Sequence, residues 1–275
     1  MADHEFQTLA EALVVVARDA GRAIMGHYRR GVAVETKADA SPVTAADREA
    51  EDIILAGLGR CAPDVPVVAE ESMAAGARAR IGDRFFLVDP LDGTREFINR
   101  RDEFTVNIAL VESGRPVFGL VYAPAAGRMY VTLGRAQAVS LRVDPDRAET
   151  IALTGPDVRP LATRPASGGR LTILASRSHL DDGTRQFLSF YPDVELRSAG
   201  SSLKFCVVAA GEADIYPRLG PTMEWDTAAG HAVVTAAGGR VTTADGNDLA
   251  YGKVETGFLN PGFVVWADVS LVRPY

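Results

Sequence analysis

The chain has 275 residues, 47% hydrophobic and 24% charged, with a formal net charge of −7. That length suits one large domain or two small ones, and either can bury a proper core. The acidic balance argues against nucleic-acid binding, which draws its affinity from a basic field, but not against a phosphorylated small molecule held through cations.

In chain order, Phe6, Leu9, Leu13, Val16, Ala20 and Ile24 recur at steps of three and four, which predicts an amphipathic helix over about 4–28, ended by Gly31. The polar stretch Lys37–Thr44 carries Pro42 and reads as a loop. Thr44, with Asp47 three residues on, opens a second helix to about Arg60. Asp47 taken alone is a first-turn acid favoured by the helix dipole. Val65–Ala69 is a short strand ending in Glu70-Glu71, an acidic pair that is ordinarily solvated, and a loop containing Gly76 follows.

The stretch Arg84–Thr94 organises the chain. Phe85-Phe86-Leu87-Val88 reads as a buried strand. Pro90 cannot continue a sheet ladder, so a turn is expected after Asp89. Asp92-Gly93-Thr94 then supplies a turn and a helix start. Oxygen ligands for a hard divalent cation and backbone N–H groups for a phosphate thus fall within the six residues 89–94.

Phe104–Leu110 alternates as a half-buried strand, and the turn Ser113–Pro116 leads to a return strand, Val117–Tyr122. Met129–Thr132 and Ala138–Val143 continue the antiparallel pattern. Residues from about 134 to 170 read as an edge strand plus a connection. Beyond them strands at Leu171–Ala175, Val194–Arg197 and Ala213–Tyr216 alternate with helices at Leu180–Phe190 and Ser202–Ala210. A last helix begins at Trp225, with Asp226 in its first turn, and ends at Gly238-Gly239. Strands near Gly239–Thr243 and Gly262–Trp266 close the chain. The expected fold class is α/β, with an α+β lobe over 1–170 and an α/β lobe over 171–275.

Asp47, Glu70, Glu71, Asp89, Asp92 and Asp226 all fall at helix starts or strand ends, the edge where open α/β sheets bind ligands. Acids without matching Cys or His suit Mg²⁺ or Mn²⁺ rather than zinc. Two such ions about 3.5–4 Å apart can clamp a phosphate ester and activate water. Neither a Gly-x-x-x-x-Gly-Lys-Ser/Thr loop nor a Gly-x-Ser-x-Gly elbow occurs.

Ala69-Glu70-Glu71-Ser72, Val88–Thr94 and Trp225–Gly230 together resemble the signatures of the lithium-sensitive inositol monophosphatase superfamily. Within it the chain looks most like the bacterial CysQ-type 3′(2′),5′-bisphosphate nucleotidases. That likeness rests on Ser41–Asp47, Gly93–Ile98, Glu103–Leu110, Ser176–His179, Gly200–Cys206 and Tyr216–Arg218. Gly134–Ala138 and Asp144–Gly169 match the family poorly.

The resemblance implies a layered αβαβα sandwich and a Mg²⁺-dependent phosphomonoesterase with two ions, or three with a weaker one. Glu70, Asp89 and the Leu91 carbonyl would hold the first Mg²⁺; Asp89, Asp92 and Asp226 would hold the second. Glu71 would sit beside them through water. Asp47 and Thr94 would polarise the attacking water, and the Gly93 and Thr94 amides would bind the scissile phosphate. Ser176, His179, Ser201, Lys204 and Arg218 would meet the nucleotide, Lys204 and Arg218 neutralising the uncleaved phosphate.

The implied reaction takes the 3′-phosphate from adenosine 3′,5′-bisphosphate, and also from the sulfated nucleotide, in sulfate assimilation. Inositol monophosphate or fructose 1,6-bisphosphate is the alternative substrate, and a non-catalytic Mg²⁺- or nucleotide-binding regulator the alternative of another class. No apolar run nears the roughly 18 residues of a membrane span, and Met1–Glu5 does not open a signal peptide. Cys61 and Cys206 give neither a disulfide framework nor metal spacing. A cytoplasmic monomer or homodimer with reduced thiols is expected.

Overall fold

The spacing that starts at Phe6 becomes α1 (Asp3–Arg30), whose buried stripe packs on a large sheet. This computed structural model describes residues 3–31, 34–36, 42–78, 80–166, 169–175, 182–191 and 193–273. β1 (Val34–Thr36) pairs antiparallel with β2 (Pro42–Thr44), and the Lys37–Ser41 part of the expected loop lies outside the described residues. α2 (Ala45–Cys61) opens on a capping box. The Ala46 N–H donates to Thr44 Oγ1 at 3.1 Å, and the Thr44 N–H donates to Asp47 Oδ2 at 2.8 Å.

β3 (Val67–Ala69) is followed by a short helix, α3 (Glu70–Ala74), where a loop was expected. β4 (Arg84–Asp92) runs parallel to β3, and α4 (Thr94–Ile98) follows it. β5 (Thr105–Glu112), β6 (Arg115–Ala123), β7 (Arg128–Gly134), β8 (Gln137–Arg142) and β9 (Arg159–Pro160) complete a seven-stranded sheet in sequential order.

Two expectations need correction. β4 does not stop at Asp89. Its pairing with β5 holds through Asp89↔Asn107 and resumes at Asp92↔Thr105, with one extra residue on β4. Pro90 sits inside that bulge, where its missing N–H costs no regular ladder bond. β5 is not half-buried either: Thr105 to Val111 are buried on both faces, because helices cover both sides of the sheet.

The second sheet is built from β10 (Leu171–Ala175), β11 (Val194–Ser198), β12 (Ile215–Arg218), β14 (Arg240–Thr243) and β16 (Phe263–Trp266), in the order β11-β10-β12-β16-β14. β10 is parallel to β11 and β12, while β16 runs antiparallel to both its neighbours. β13 (Thr222–Met223) and β15 (Leu259–Asn260) form a separate pair. The helices of this half are α5 (Asp182–Ser189), α6 (Leu203–Ala209) and α7 (Ala228–Ala236). α7 starts later than expected, leaving Asp226 in the turn ahead of it.

Among the described residues three cores define the layering. The first joins α1 and α2 to one face of the large sheet through Phe6, Ile54, Phe86 and Phe118. A second, with Leu87, Val121, Phe205, Val233 and Phe263, fills the space between the sheets around α6 and α7. The third packs Phe187 of α5 on Ile173, Ile215 and Trp266. The sequence of layers is therefore helix, sheet, helix, sheet, helix. α7 approaches β6 very closely: a Cβ added at Gly119 would lie 2.2 Å from the Ala229 carbonyl oxygen.

Part of the poorly legible connection is tied down by arginines. Arg18 Nη1 donates to the Glu149 carbonyl at 2.9 Å and Arg22 Nε to the Pro145 carbonyl at 2.8 Å, while Arg29 pairs with Asp146. Among the described residues no helix is long and apolar enough to cross a membrane.

Candidate active site

The bulge in β4 creates the centre of the site. Asp89 is the last residue paired with β5 before the bulge, and the Leu91 N–H turns back to donate to Asp89 Oδ1 at 3.0 Å. Gly93 follows with φ +95°, and a Cβ there would come within 3.1 Å of the Glu103 carbonyl oxygen, so glycine is required at the turn. Glu70 arrives from the end of β3 and Asp226 from the turn before α7. One carboxylate oxygen from each of Glu70, Asp89 and Asp226 lies within 4.8 Å of the others.

Such a gathering is unfavourable without positive charge. Burial, and then the Glu70, Asp92 and Asp226 charges, raise the Asp89 carboxyl well above the ordinary carboxylate range. Burial and Asp92 push Asp226 up to about 6, against hydrogen bonds from Thr222 and the Met223 N–H and the Arg218 charge. An all-oxygen set of converging carboxylates is the donor chemistry of a hard divalent cation, and the residues present fit that ion.

Thr94 and Asp47 meet beside this cluster. The Thr94 hydroxyl lies 3.1 Å from Asp47 Oδ1 and 3.2 Å from the Leu91 carbonyl oxygen. Asp47 Oδ2 meanwhile accepts the Thr44 N–H and, at 2.7 Å, the Thr44 hydroxyl. The helix cap therefore aims one carboxylate oxygen at Thr94.

Asp92 is held from the turn that opens α6. Its Oδ2 accepts the Ser202 N–H at 2.6 Å and the Ser201 hydroxyl, which also lies 3.1 Å from the Asp92 carbonyl oxygen. Ser201 has φ +52°, a left-handed conformation for a residue with a side chain. The buried Lys204 ammonium donates to the carbonyls of Ala199 at 3.2 Å and Ser201 at 2.8 Å, and lies over the Tyr216 ring. Arg218 holds its proton against burial because Tyr216, Asp226 and Asp92 face it. Ser176 and His179 lie outside the described residues.

The model of the inositol monophosphatase family matches residues 5–264. The chain belongs to that family. It is 45% identical over 259 residues to the 3′(2′),5′-bisphosphate nucleotidase CysQ of Salmonella typhimurium, covering 94% of this chain and 99% of that one. Its identity to the protein of the same name from Escherichia coli K12 is also 45%, over 252 residues, 91% of this chain and 96% of the other. The crystal structure of CysQ from Bacteroides thetaiotaomicron superposes with a TM-score of 0.78 at 37% identity, covering 95% of this chain and 97% of that chain. Enzymes of the inositol monophosphatase family use a divalent metal, typically Mg²⁺, in agreement with the donor set described above.

Within this inositol monophosphatase frame several supporting residues escape sequence reading. Glu51 reaches from α2 to the start of α3, and its only sequence signal is its place one helical turn after Asp47. Glu224 is fully buried and accepts the Gly252 N–H at 2.7 Å, the Lys253 N–H at 2.9 Å and the Lys253 ammonium at 2.6 Å. It anchors the turn that carries Asp226, and its adjacency to Trp225-Asp226 was a usable hint. Thr105, Asn107 and Ser202 form a buried hydrogen-bonded group behind Asp92. No local pattern links residues that far apart in the chain.

Proposed function

We propose that this chain removes the 3′-phosphate of adenosine 3′,5′-bisphosphate, giving AMP and phosphate, and also acts on the sulfated nucleotide in sulfate assimilation. The observation that carries the chemistry is the convergence of Glu70, Asp89 and Asp226 beside the Thr94–Asp47 hydrogen bond. Support for the nucleotide comes from relatives that are named bisphosphate nucleotidases and are 45% identical over nearly the whole chain.

In this reading Glu70, Asp89 and the Leu91 carbonyl would hold one Mg²⁺, and Asp89, Asp92 and Asp226 a second. Glu71 would stand beside them through water, with a weaker third ion in reach. Bound there, the cations would supply positive charge for the phosphoryl oxygens and acidify a nearby water. The protein's own part is orientation and proton handling. Asp47 accepts a hydrogen bond from the Thr94 hydroxyl, leaving the Thr94 oxygen lone pairs to take a hydrogen bond from the attacking water. As the water gives its proton to that oxygen, the hydroxyl proton passes on to Asp47. The Gly93 and Thr94 amides would receive the phosphate being cleaved.

The 171–275 lobe would supply the nucleotide side and Asp226, and the 1–170 lobe the rest of the cation set. Arg218 would face the uncleaved phosphate, with Lys204 adding charge from behind the Ala199 and Ser201 carbonyls. Ser201, Ser176 and His179 would line the nucleotide.

Phosphate release with Mg²⁺ should be measured on adenosine 3′,5′-bisphosphate, inositol 1-phosphate and fructose 1,6-bisphosphate side by side. A kcat/KM for the nucleotide about a hundredfold above the others, or about 2.7 kcal/mol of discrimination, is expected. Comparable values would make this a broad phosphatase. No release from any substrate would point to a non-catalytic binder.

A further inference from the structure

Two buried carboxylates sit one turn apart on α2 and point to different parts of the site. Asp47, 2% exposed, meets Thr94. Glu51, 4% exposed, meets α3. Its Oε2 accepts the Glu71 N–H at 2.8 Å, and its Oε1 accepts the Ser72 N–H at 2.8 Å and the Ser72 hydroxyl at 2.5 Å. α3 has no cap of its own, because Ala69 precedes it and offers no side-chain acceptor. Buried polar oxygens need hydrogen-bond donors, and the Glu51 carboxylate finds three on the two residues that follow Glu70. Fixing the amides of Glu71 and Ser72 fixes the backbone direction at Glu70. That direction places the Glu70 carboxylate within 4.8 Å of those of Asp89 and Asp226.

We infer that Glu51 is a positioning residue for the cation site: by holding the start of α3 it sets the Glu70 carboxylate, so that one face of α2 aligns both Glu70 and the Thr94–Asp47 pair. The inference rests on the cation-dependent reading above and extends it to a residue outside the ligand set.

The test is calorimetric titration of the full chain with Mn²⁺, comparing wild type, Glu51→Gln and Ser72→Ala, with melting in EDTA as the measure of bare stability. Gln keeps the size of Glu51 but turns one acceptor into a donor that faces an N–H. The expected result is a Kd for Mn²⁺ raised about tenfold in Glu51→Gln, the scale of losing a partner that orients a metal ligand. In Ser72→Ala a rise of roughly threefold is expected, from the loss of one hydrogen bond. Raising the Mn²⁺ concentration should restore turnover in both variants. A merely structural role would lower the melting temperature in EDTA without moving Kd. Native-like Glu51→Gln with the wild-type Kd overturns the inference. If Glu51→Gln does not fold, an unchanged Kd in Ser72→Ala overturns it instead. Wild-type protein that binds no Mn²⁺ would overturn the cation reading itself, a separate outcome from unchanged variants of a protein that does bind.

Discussion

The Thr94 hydroxyl donates to Asp47 Oδ1 across 3.1 Å, joining the start of α4 to the first turn of α2. Thr94→Val keeps the shape and removes the hydroxyl. If the pair handles the proton of the attacking water, kcat should fall about 10²–10⁴-fold, with little change in KM or in the Mg²⁺ midpoint. Rapid-quench measurement of phosphate release checks this. A variant with wild-type kcat would remove Thr94 from the chemistry.

The buried acids make cation binding pH-dependent. Burial foremost, then neighbouring carboxylates, raises Asp89 and puts Asp226 at about 6, above the unfolded value of about 3.9. With folded values above unfolded ones, the metal-free fold holds protons more tightly than the unfolded chain. This contribution to stability is fully present below about pH 4 and is lost as pH rises through about 6. A cation competes with those protons. The difference in melting temperature between Mg²⁺ and EDTA samples should therefore be small at pH 5 and widen toward pH 7.5. A pH-independent difference would contradict the assignment.

Asp89→Asn removes the most deeply buried member of the acidic set. Turnover should drop at least about a hundredfold through the lost electrostatic contribution. In EDTA the same change relieves the repulsion of Asp89 by Glu70, Asp92 and Asp226, so the metal-free variant should melt higher, by about 2–4 °C per kcal/mol relieved. Lower stability in EDTA together with retained activity would refute both halves.

Glu224 has no solvent exposure and three donors, including the partly exposed Lys253 ammonium. Glu224→Gln should cost about 2 kcal/mol, since Lys253 can turn to water while the Gly252 and Lys253 amides lose a charged acceptor. For a chain of this size the melting temperature should fall by about 4–8 °C. Differential scanning calorimetry decides, and an unchanged midpoint would show that the turn before Asp226 is held by other contacts.

Local signals in the sequence marked the element ends at which Asp47 and Glu70 lie. Thr44 and Asp47 lie three apart, as a capping box demands, and the apolar run before Asp89 ended where carboxylates begin. The antiparallel succession of strands from Thr105 to Arg142 also followed from alternation and turn residues. Pro90 misled because a bulge, set by pairing with β5, absorbs a residue that cannot join a ladder. Glu51 was silent because its donors lie twenty and twenty-one residues away. The Thr105–Ser202 contact and the arginine ties to Pro145 and Glu149 join even more distant segments. Helical and strand periods carry no information about such pairings.

The close approach at Gly119 has a consequence for the tolerance of the whole site. Ala229 lies three residues after Asp226, and its carbonyl rests on β6 with no side chain between them. The depth at which Asp226 enters the site is thus gauged by main chain against main chain, contact surfaces that no rotamer change can shim. Drift in the surrounding side chains leaves that gauge intact, whereas one methyl group at position 119 would lift α7 and carry Asp226 away from Asp89.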